Sequence, residues 1–228
     1  MANQMTDSMQ AMVKAALSSG QLPSDVETGP VVTVARDYGA GGNEVGAILS
    51  KHLKVPLFDQ EIIDQIVKRT QSDNTMIKRL DERLPSPLED WLFSLVHKGA
   101  SSRSEYFRRL VIVVRSIGRV GGIIMGRGAH LILENQPVFR LRVTGSMDHC
   151  ARRVAARENL DLPDAKQNIK KVNAERQVFV RELFQHYPTD AAYYDMMLNS
   201  DHLGSKQISD LALTAMNQMG FFEGNEKK

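Results

Sequence analysis

The chain has 228 residues, 42% hydrophobic and 25% charged, with a formal net charge of +2. That length suits one sizeable α/β domain or two small ones, and the near-neutral charge gives no whole-molecule drive toward nucleic acid or a membrane surface. The single cysteine, Cys150, excludes an intramolecular disulfide framework, no run approaches the ~20 apolar residues of a membrane span, and no basic-then-apolar leader opens the chain, so a cytoplasmic protein is expected.

Residues 1–30 read as an appendage. Met5, Met9, Met12, Val13, Ala16 and Leu17 fall on one face of a helix that Ser18-Ser19-Gly20 ends, and residues 21–30 form a polar linker. The stripe either packs on its own domain or, being rich in adaptable methionine, meets a partner or a second copy of the chain.

Val31, Val32, Thr33 and Val34 then form a short β-branched run, the pattern of a strand buried on both faces. Gly39, Gly41 and Gly42 follow, and after them Val45, Ile48, Leu49 and Leu53 recur at helical spacing. A strand, a glycine loop and a helix N-terminus together present backbone N–H groups and a positive dipole end to one point, which is how a chain cradles phosphate. The alternative is an ordinary strand-to-helix turn. The full phosphate-loop pattern, G-x-x-x-x-G-K-[ST], is not met: Gly42 stands where the lysine belongs. The dinucleotide pattern G-x-G-x-x-G fails at Glu44.

The segment Arg36-Asp37-Tyr38-Gly39-Ala40-Gly41-Gly42-Asn43-Glu44 resembles the opening of the cytidylate kinase-like family of P-loop proteins, which often carry a lysine-less loop of this type. The likeness continues in Val55-Pro56-Leu57-Phe58-Asp59, in Gly126-Arg127-Gly128-Ala129 and in the basic helices after Val143, so that it spans residues 31–219. It implies a P-loop NTPase-like, three-layer α/β/α fold with a helical acceptor-binding insert at about 71–120 and a lid at about 157–185, between the N-terminal appendage and a polar tail at 220–228. It also implies ATP-dependent phosphoryl transfer to a (d)CMP-like nucleoside monophosphate. Mg²⁺ would be carried with the nucleotide, with no residue of the chain singled out as a metal ligand. Arg36, Gly39, Ala40, Gly41, Gly42, Asn43 and Glu44 would then line the donor phosphates.

Residues 55–58 read as a second strand, and Asp59 caps the helix that follows. The resemblance sets Asp59 near the acceptor, although a plain helix cap accounts for it equally well. Residues 71–120 are the most helical stretch, with helices at 74–84, 87–98 and 103–120. Trp91, Phe93, Tyr106 and Phe107 there are core residues or base-stacking ones, and Ser101, Ser102, Arg103 and Arg108 are the polar candidates. A third buried strand, 122–126, ends at Arg127 and Gly128. Arginine at the carboxyl end of a parallel strand sits where open α/β sheets bind ligands, and its donor fork suits phosphate. The family resemblance makes Arg127 and Gly128 acceptor contacts; the alternative is a surface arginine on a turn. His130 reads as an ordinary helical residue.

Residues 138–144 alternate as a fourth strand, less buried than its neighbours. Ser146 caps a helix to about Asn159, and Pro163-Asp164 open a longer one. Between 140 and 181 there are ten Lys and Arg against five Asp and Glu, in a chain that is otherwise near neutral. A basic cluster of this kind suits a charge-neutralising lid over a phosphoryl group, or else two solvated helices with i,i+4 pairs. By resemblance the phosphate-clamping arginines are Arg153, Arg157, Arg176 and Arg181, with Arg152 less central. Residues 194–199 read as the last strand, and a helix over 206–219 with the stripe Ile208, Leu211, Leu213 and Met216 closes the fold. Five strands alternating with helices predict a parallel sheet covered on both faces. The missing lysine leaves a second function open, that of a nucleotide- or phospholigand-binding regulator without turnover.

Overall fold

The computed structural model describes residues 29–69 and 102–222. The helices expected at the N-terminus, at 74–84 and at 87–98, with Trp91, Phe93, Ser101 and the tail beyond 222, lie outside the described residues.

β1 is Val31–Arg36, two residues longer than its valine run, and is the central strand. It pairs in parallel with β3 (Gly122–Met125) on one side and β4 (Phe139–Thr144) on the other. With β2 (Leu57–Phe58) and β5 (Met196–Asn199) at the edges, the order is β2-β3-β1-β4-β5, five strands all parallel between flanking helices. Both edge strands are two residues shorter at their start than the sequence suggests. Pro56 cannot donate to a ladder, although its carbonyl accepts from the Ile123 amide at 2.8 Å. At the other edge the Tyr194 amide is given to the Ala191 carbonyl at 3.1 Å, closing a 3-10 turn before the strand.

The register shows which face each residue serves. Val32 is level with Ile123 and Phe139, and Val34 with Met125 and Leu141. These residues share one face and are covered by Val45 and Leu49 of α1 (Gly42–Leu53) and by Cys150, Ala151 and Val154 of α5 (Met147–Glu158). Ala165 and Ile169 of α6 (Leu162–Phe184) and Ile208, Ala212 and Met216 of α7 (Ser205–Gln218) complete the cluster. α1 packs on α7, and α5 on α6. β4 is better buried than its alternation suggests, with Phe139, Leu141, Arg142 and Val143 all inside. The stripe of α7 also differs. Leu211 is 42% exposed, and the buried face is Ile208, Ser209, Ala212 and Met216, because small residues at 209 and 212 let the helix approach closely.

The chain divides into two compact units. The sheet unit holds residues 30–57 and 122–222. The helical unit holds 58–69 and 102–121, and its described elements are α2 (Gln60–Arg69) and α3 (Ser102–Val120), which pack together. α3 buries Phe107, Leu110, Val111, Val114 and Ile117 at helical spacing, and the Tyr106 hydroxyl donates to Asp64 of α2 at 2.7 Å. Asp59 caps α2, its carboxylate accepting from the Ile62 amide at 2.8 Å. No helix among the described residues is long and apolar enough to cross a membrane.

Candidate active site at the carboxyl end of the central strand

With β3 on one side of β1 and β4 on the other, the strand order reverses at β1, and open sheets of this kind bind ligands outside the strand ends at that point. The glycine loop lies there. Gly39 and Gly41 have φ of +85° and +81°, which glycine adopts without steric cost. Gly41 is the N-cap of α1 and, lacking a side chain, caps nothing, so the first-turn N–H groups are left for a ligand.

A cleft of about 370 Å³ opens over the loop, lined by Arg36–Gly39, Gly41–Glu44, Arg157, Glu158 and Arg176. The loop is tied to α5 and α6 by polar contacts from residues far away in sequence. The Tyr38 amide donates to Asn173 Oδ1 at 2.8 Å, and the Tyr38 hydroxyl donates to Glu158. Arg176 donates to the Arg36 carbonyl at 3.0 Å. The Arg157 and Arg176 guanidinium carbons lie 5.1 and 5.6 Å from the centre of the Tyr38 ring, within cation–π range. Glu158 also receives Arg157 at 2.7 Å and Asn168 at 3.0 Å. The hydrogen bonds from Tyr38 and Arg157 hold its carboxyl below the usual range. Burial pulls the Arg176 guanidinium below its ordinary value.

Of the lid candidates, Arg157 and Arg176 therefore face the cleft. Arg153 is turned to Ser200, donating to its hydroxyl at 2.9 Å and its carbonyl at 2.8 Å, with Nη1 3.6 Å from where a Gly41 Cβ would stand. Arg152 and Arg181 are exposed and outside the cleft lining. Ala40 is fully buried in the core beneath the loop. Arg127 and Gly128 lie between β3 and the short helix α4 (Ala129–Ile132), and neither lines the cleft. The Arg127 guanidinium lies over Phe179 at 5.0 Å, and residues 126, 127 and 128 have φ of +75°, +54° and +67°. Three successive left-handed residues, one of them arginine, are a backbone arrangement of the kind that concentrates at functional sites. Asp59 belongs to the helical unit, as the cap of α2.

Sequence reasoning passed over Asp37, Tyr38, Glu158 and Asn173. Tyr38 had a signal, an aromatic inside a glycine loop, whereas nothing local marks Asn173. Asp37 pairs with Arg142 at 2.8 Å. Arg142 in turn lies 5.9 Å from the Tyr194 ring, which stacks on His130 at 4.8 Å. His130 is thus not an ordinary helical residue. It is a buried imidazole within 3.2 Å of the Tyr194 hydroxyl, whose single proton serves Pro188, so Nε2 is the donor. Burial first, then Arg142, Arg140 and His186, hold its pKa down at about 3.

The folded pKa of His130 lies below the unfolded value of ~6.5, so the stabilisation is complete above that pH and is lost as pH falls toward 3. Between pH 7.5 and 5 thermal unfolding should show a loss of about 2 kcal/mol from this group, and His130→Phe should flatten the profile. An equal slope in the variant would assign the effect to other groups. Cys150 is buried against the loop, and its thiol is pushed up to about 11, chiefly by burial, so it is a packing residue and not a nucleophile.

The sequence profile of the cytidylate kinase-like family matches residues 31–202. The crystal structure of an uncharacterized protein from Eubacterium ventriosum ATCC 27560 is similar at a TM-score of 0.65 and 19% identity, over 82% of this chain and 98% of that one. A gluconokinase from Sinorhizobium meliloti 1021 is similar at 0.50 and 11%, over 89% and 99%. At such identities the likeness is one of fold, three layers with a parallel sheet at the centre. No curated protein matches the chain. The family match covers most of the chain, and the chain belongs to the cytidylate kinase-like family.

Proposed function

We propose that the protein transfers the terminal phosphoryl group of ATP to a (d)CMP-like nucleoside monophosphate. The observation that carries this reading is the cleft itself, where uncapped N–H groups of a glycine loop face two arginines of the neighbouring helices. Phosphoryl transfer needs positioning and charge neutralisation more than covalent chemistry from the protein. In this reading the N–H groups of Gly39 and of residues 41–44 hold the donor phosphates, while the Ala40 amide is given to the Asp37 carbonyl at 3.2 Å. Arg157 and Arg176, released from Tyr38, meet charge on the transferring group. Arg127 and Gly128 are the acceptor-side candidates. An oxygen of the acceptor phosphate attacks the γ-phosphorus as the bond to the β,γ-bridging oxygen breaks, and ADP leaves.

No cluster of three or more His, Cys, Asp or Glu side chains suits a resident metal among the described residues. Glu44 is exposed beside the loop, its Oε2 3.8 Å from where a Gly41 Cβ would stand. One carboxylate with nucleotide phosphates fits Mg²⁺, which retains several waters and would neutralise phosphate charge. Glu44 is the residue that would meet it. A reducing compartment such as the cytoplasm accords with the buried free thiol.

A nucleotide-binding regulator without turnover is the second reading, favoured by the glycine at the lysine position and by the engagement of Arg157 and Arg176 with Tyr38. Thermal shift with ATP and Mg²⁺, followed by coupled ADP release with CMP or dCMP, separates the two. A ligand at about 100 times its dissociation constant adds about 2.7 kcal/mol of stability. Stabilisation together with acceptor-dependent ADP release is expected. Stabilisation without turnover supports the regulator, and the absence of any shift with ATP overturns both.

A further inference from the structure

Laying the pattern G-x-x-x-x-G-K-[ST] on the loop, with Gly41 as its second glycine, puts the first glycine at position 36, the lysine at 42 and the hydroxyl at 43. This chain has Arg36, Gly42 and Asn43 there. The long cation and the small residue have changed places. We propose that Arg36 is the phosphate-loop cation of this protein, holding the terminal phosphates of a nucleoside triphosphate from the opposite end of the loop, and that Gly42 is glycine because the Arg36 side chain occupies its space. This deepens the donor-site reading given above and rests on it.

Two contacts carry the inference. A Cβ on Gly42 would stand 2.6 Å from Arg36 Cβ and 2.9 Å from Arg36 Cγ, closer than real Cβ atoms come to carbon. At its far end the Arg36 side chain reaches the carboxyl end of β3, where Nη1 lies 2.6 Å from the place a Gly126 Cβ would take. The stem thus crosses against the first residue of α1, and the guanidinium ends between the glycine loop and the Gly126-Arg127-Gly128 turn. Its course is guided along the way, with Nε donating to Asn43 Oδ1 at 3.1 Å and the Arg36 carbonyl accepting from Arg176 at 3.0 Å.

Gly42 does not need to be glycine for its backbone. Its φ is not left-handed, whereas Gly39, Gly41 and Gly126 all have positive φ. Glycine is less favourable than alanine in a helix, so an unforced glycine at this place calls for a reason of space. Arg36 supplies it. Only one of positions 36 and 42 can carry a side chain into this volume. The planar guanidinium can then grip two phosphate oxygens at once where a lysine offers a point charge.

The test is a reciprocal exchange read by calorimetric Mg²⁺-ATP binding, with the ligand-free melting temperature measured beside it. Arg36→Gln keeps most of the stem and removes the charge. It should bind Mg²⁺-ATP roughly ten- to a hundredfold more weakly with little change in melting temperature. Gly42→Lys alone should lower the melting temperature through the clash and weaken binding. Arg36→Gly with Gly42→Lys opens the space and returns the cation from the other side. That pair should bind within about tenfold of the wild type. Arg36→Ala is not the right partner, because Arg36 Cβ itself makes the closest contact. Wild-type affinity in Arg36→Gln, or a double variant no tighter than Gly42→Lys alone, overturns the proposal while the donor site stands. A wild-type protein that binds no Mg²⁺-ATP overturns the donor site and this proposal together.

Discussion

Asp37→Ala is expected to destabilise the sheet unit by about 3 kcal/mol, at the lower end of the cost of stranding a buried charge. Arg142 lies within β4 with its side chain 6% exposed, and its Nη2 donates to Asp37 Oδ1 at 2.8 Å. Its Nε is already buried without a hydrogen-bond partner. Removing the carboxylate leaves the guanidinium in a poorly solvated place, 5.9 Å from the Tyr194 ring, without its anionic partner. Asp37 itself is about a quarter exposed, which lets water offset part of the loss. The melting temperature should fall by on the order of 10 °C. Adding Arg142→Met should recover much of it, since a buried pair replaced by apolar volume is often neutral. A single variant within about 1 kcal/mol of wild type would show that water solvates Arg142 despite its burial.

Gly39→Ala is the second change with a large expected effect, and two costs add there. With φ at +85°, any Cβ meets a left-handed backbone, at about 1–2 kcal/mol. The added methyl would also stand 2.8 Å from the Cys150 carbonyl oxygen and 2.9 Å from Val154 Cγ2, and overpacking of this sort costs about 1–3 kcal/mol. Together these give about 3 kcal/mol of destabilisation, measurable by chemical or thermal unfolding. The loop must lift from α5 to relieve the contact, so stabilisation by Mg²⁺-ATP should shrink as well. Gly204→Ala is the control. Its φ is −70° and a Cβ there meets only Gln207 Oε1 at 3.6 Å, so its effect should stay within about 1 kcal/mol, the cost of alanine at a helix N-cap.

Both variants act on the contact between the loop and its supports, which is also where function is proposed. The loop is held on one side by Asp37 and on the other by Tyr38, so its N–H groups are aimed before any ligand arrives. Pre-aimed donors lose little freedom when a phosphate binds. The same contacts occupy Arg157 and Arg176 with Tyr38. A nucleotide in the cleft therefore competes with an aromatic ring for those two cations.

What the sequence determined by itself is what neighbouring residues decide among themselves. The valine run of β1, the glycines after it and the spacing of Val45 and Leu49 are local patterns, and they specify strand, loop and helix without outside help. The caps of α2 and α5 are likewise legible, because Asp59 and Ser146 each accept from an amide three residues on, whereas α6 starts ahead of the Pro163-Asp164 opening read from the sequence, capped by Asp161. The dispersed motifs in their order were enough to place the chain in its family. Only the tertiary structure decided which distant residues share the cleft. Tyr38 meets Glu158 across 120 positions and Asn173 across 135, and Arg36 meets Arg176 across 140. Nothing in the spacing of four basic-helix arginines tells Arg157 and Arg176 from Arg153, which Ser200 holds, or from Arg181, which points to solvent. His130 and Leu211 differ from their sequence reading for the same reason. Helical spacing says which residues share a face, but burial depends on what the fold lays against that face, and that is settled by packing among segments far apart in the chain.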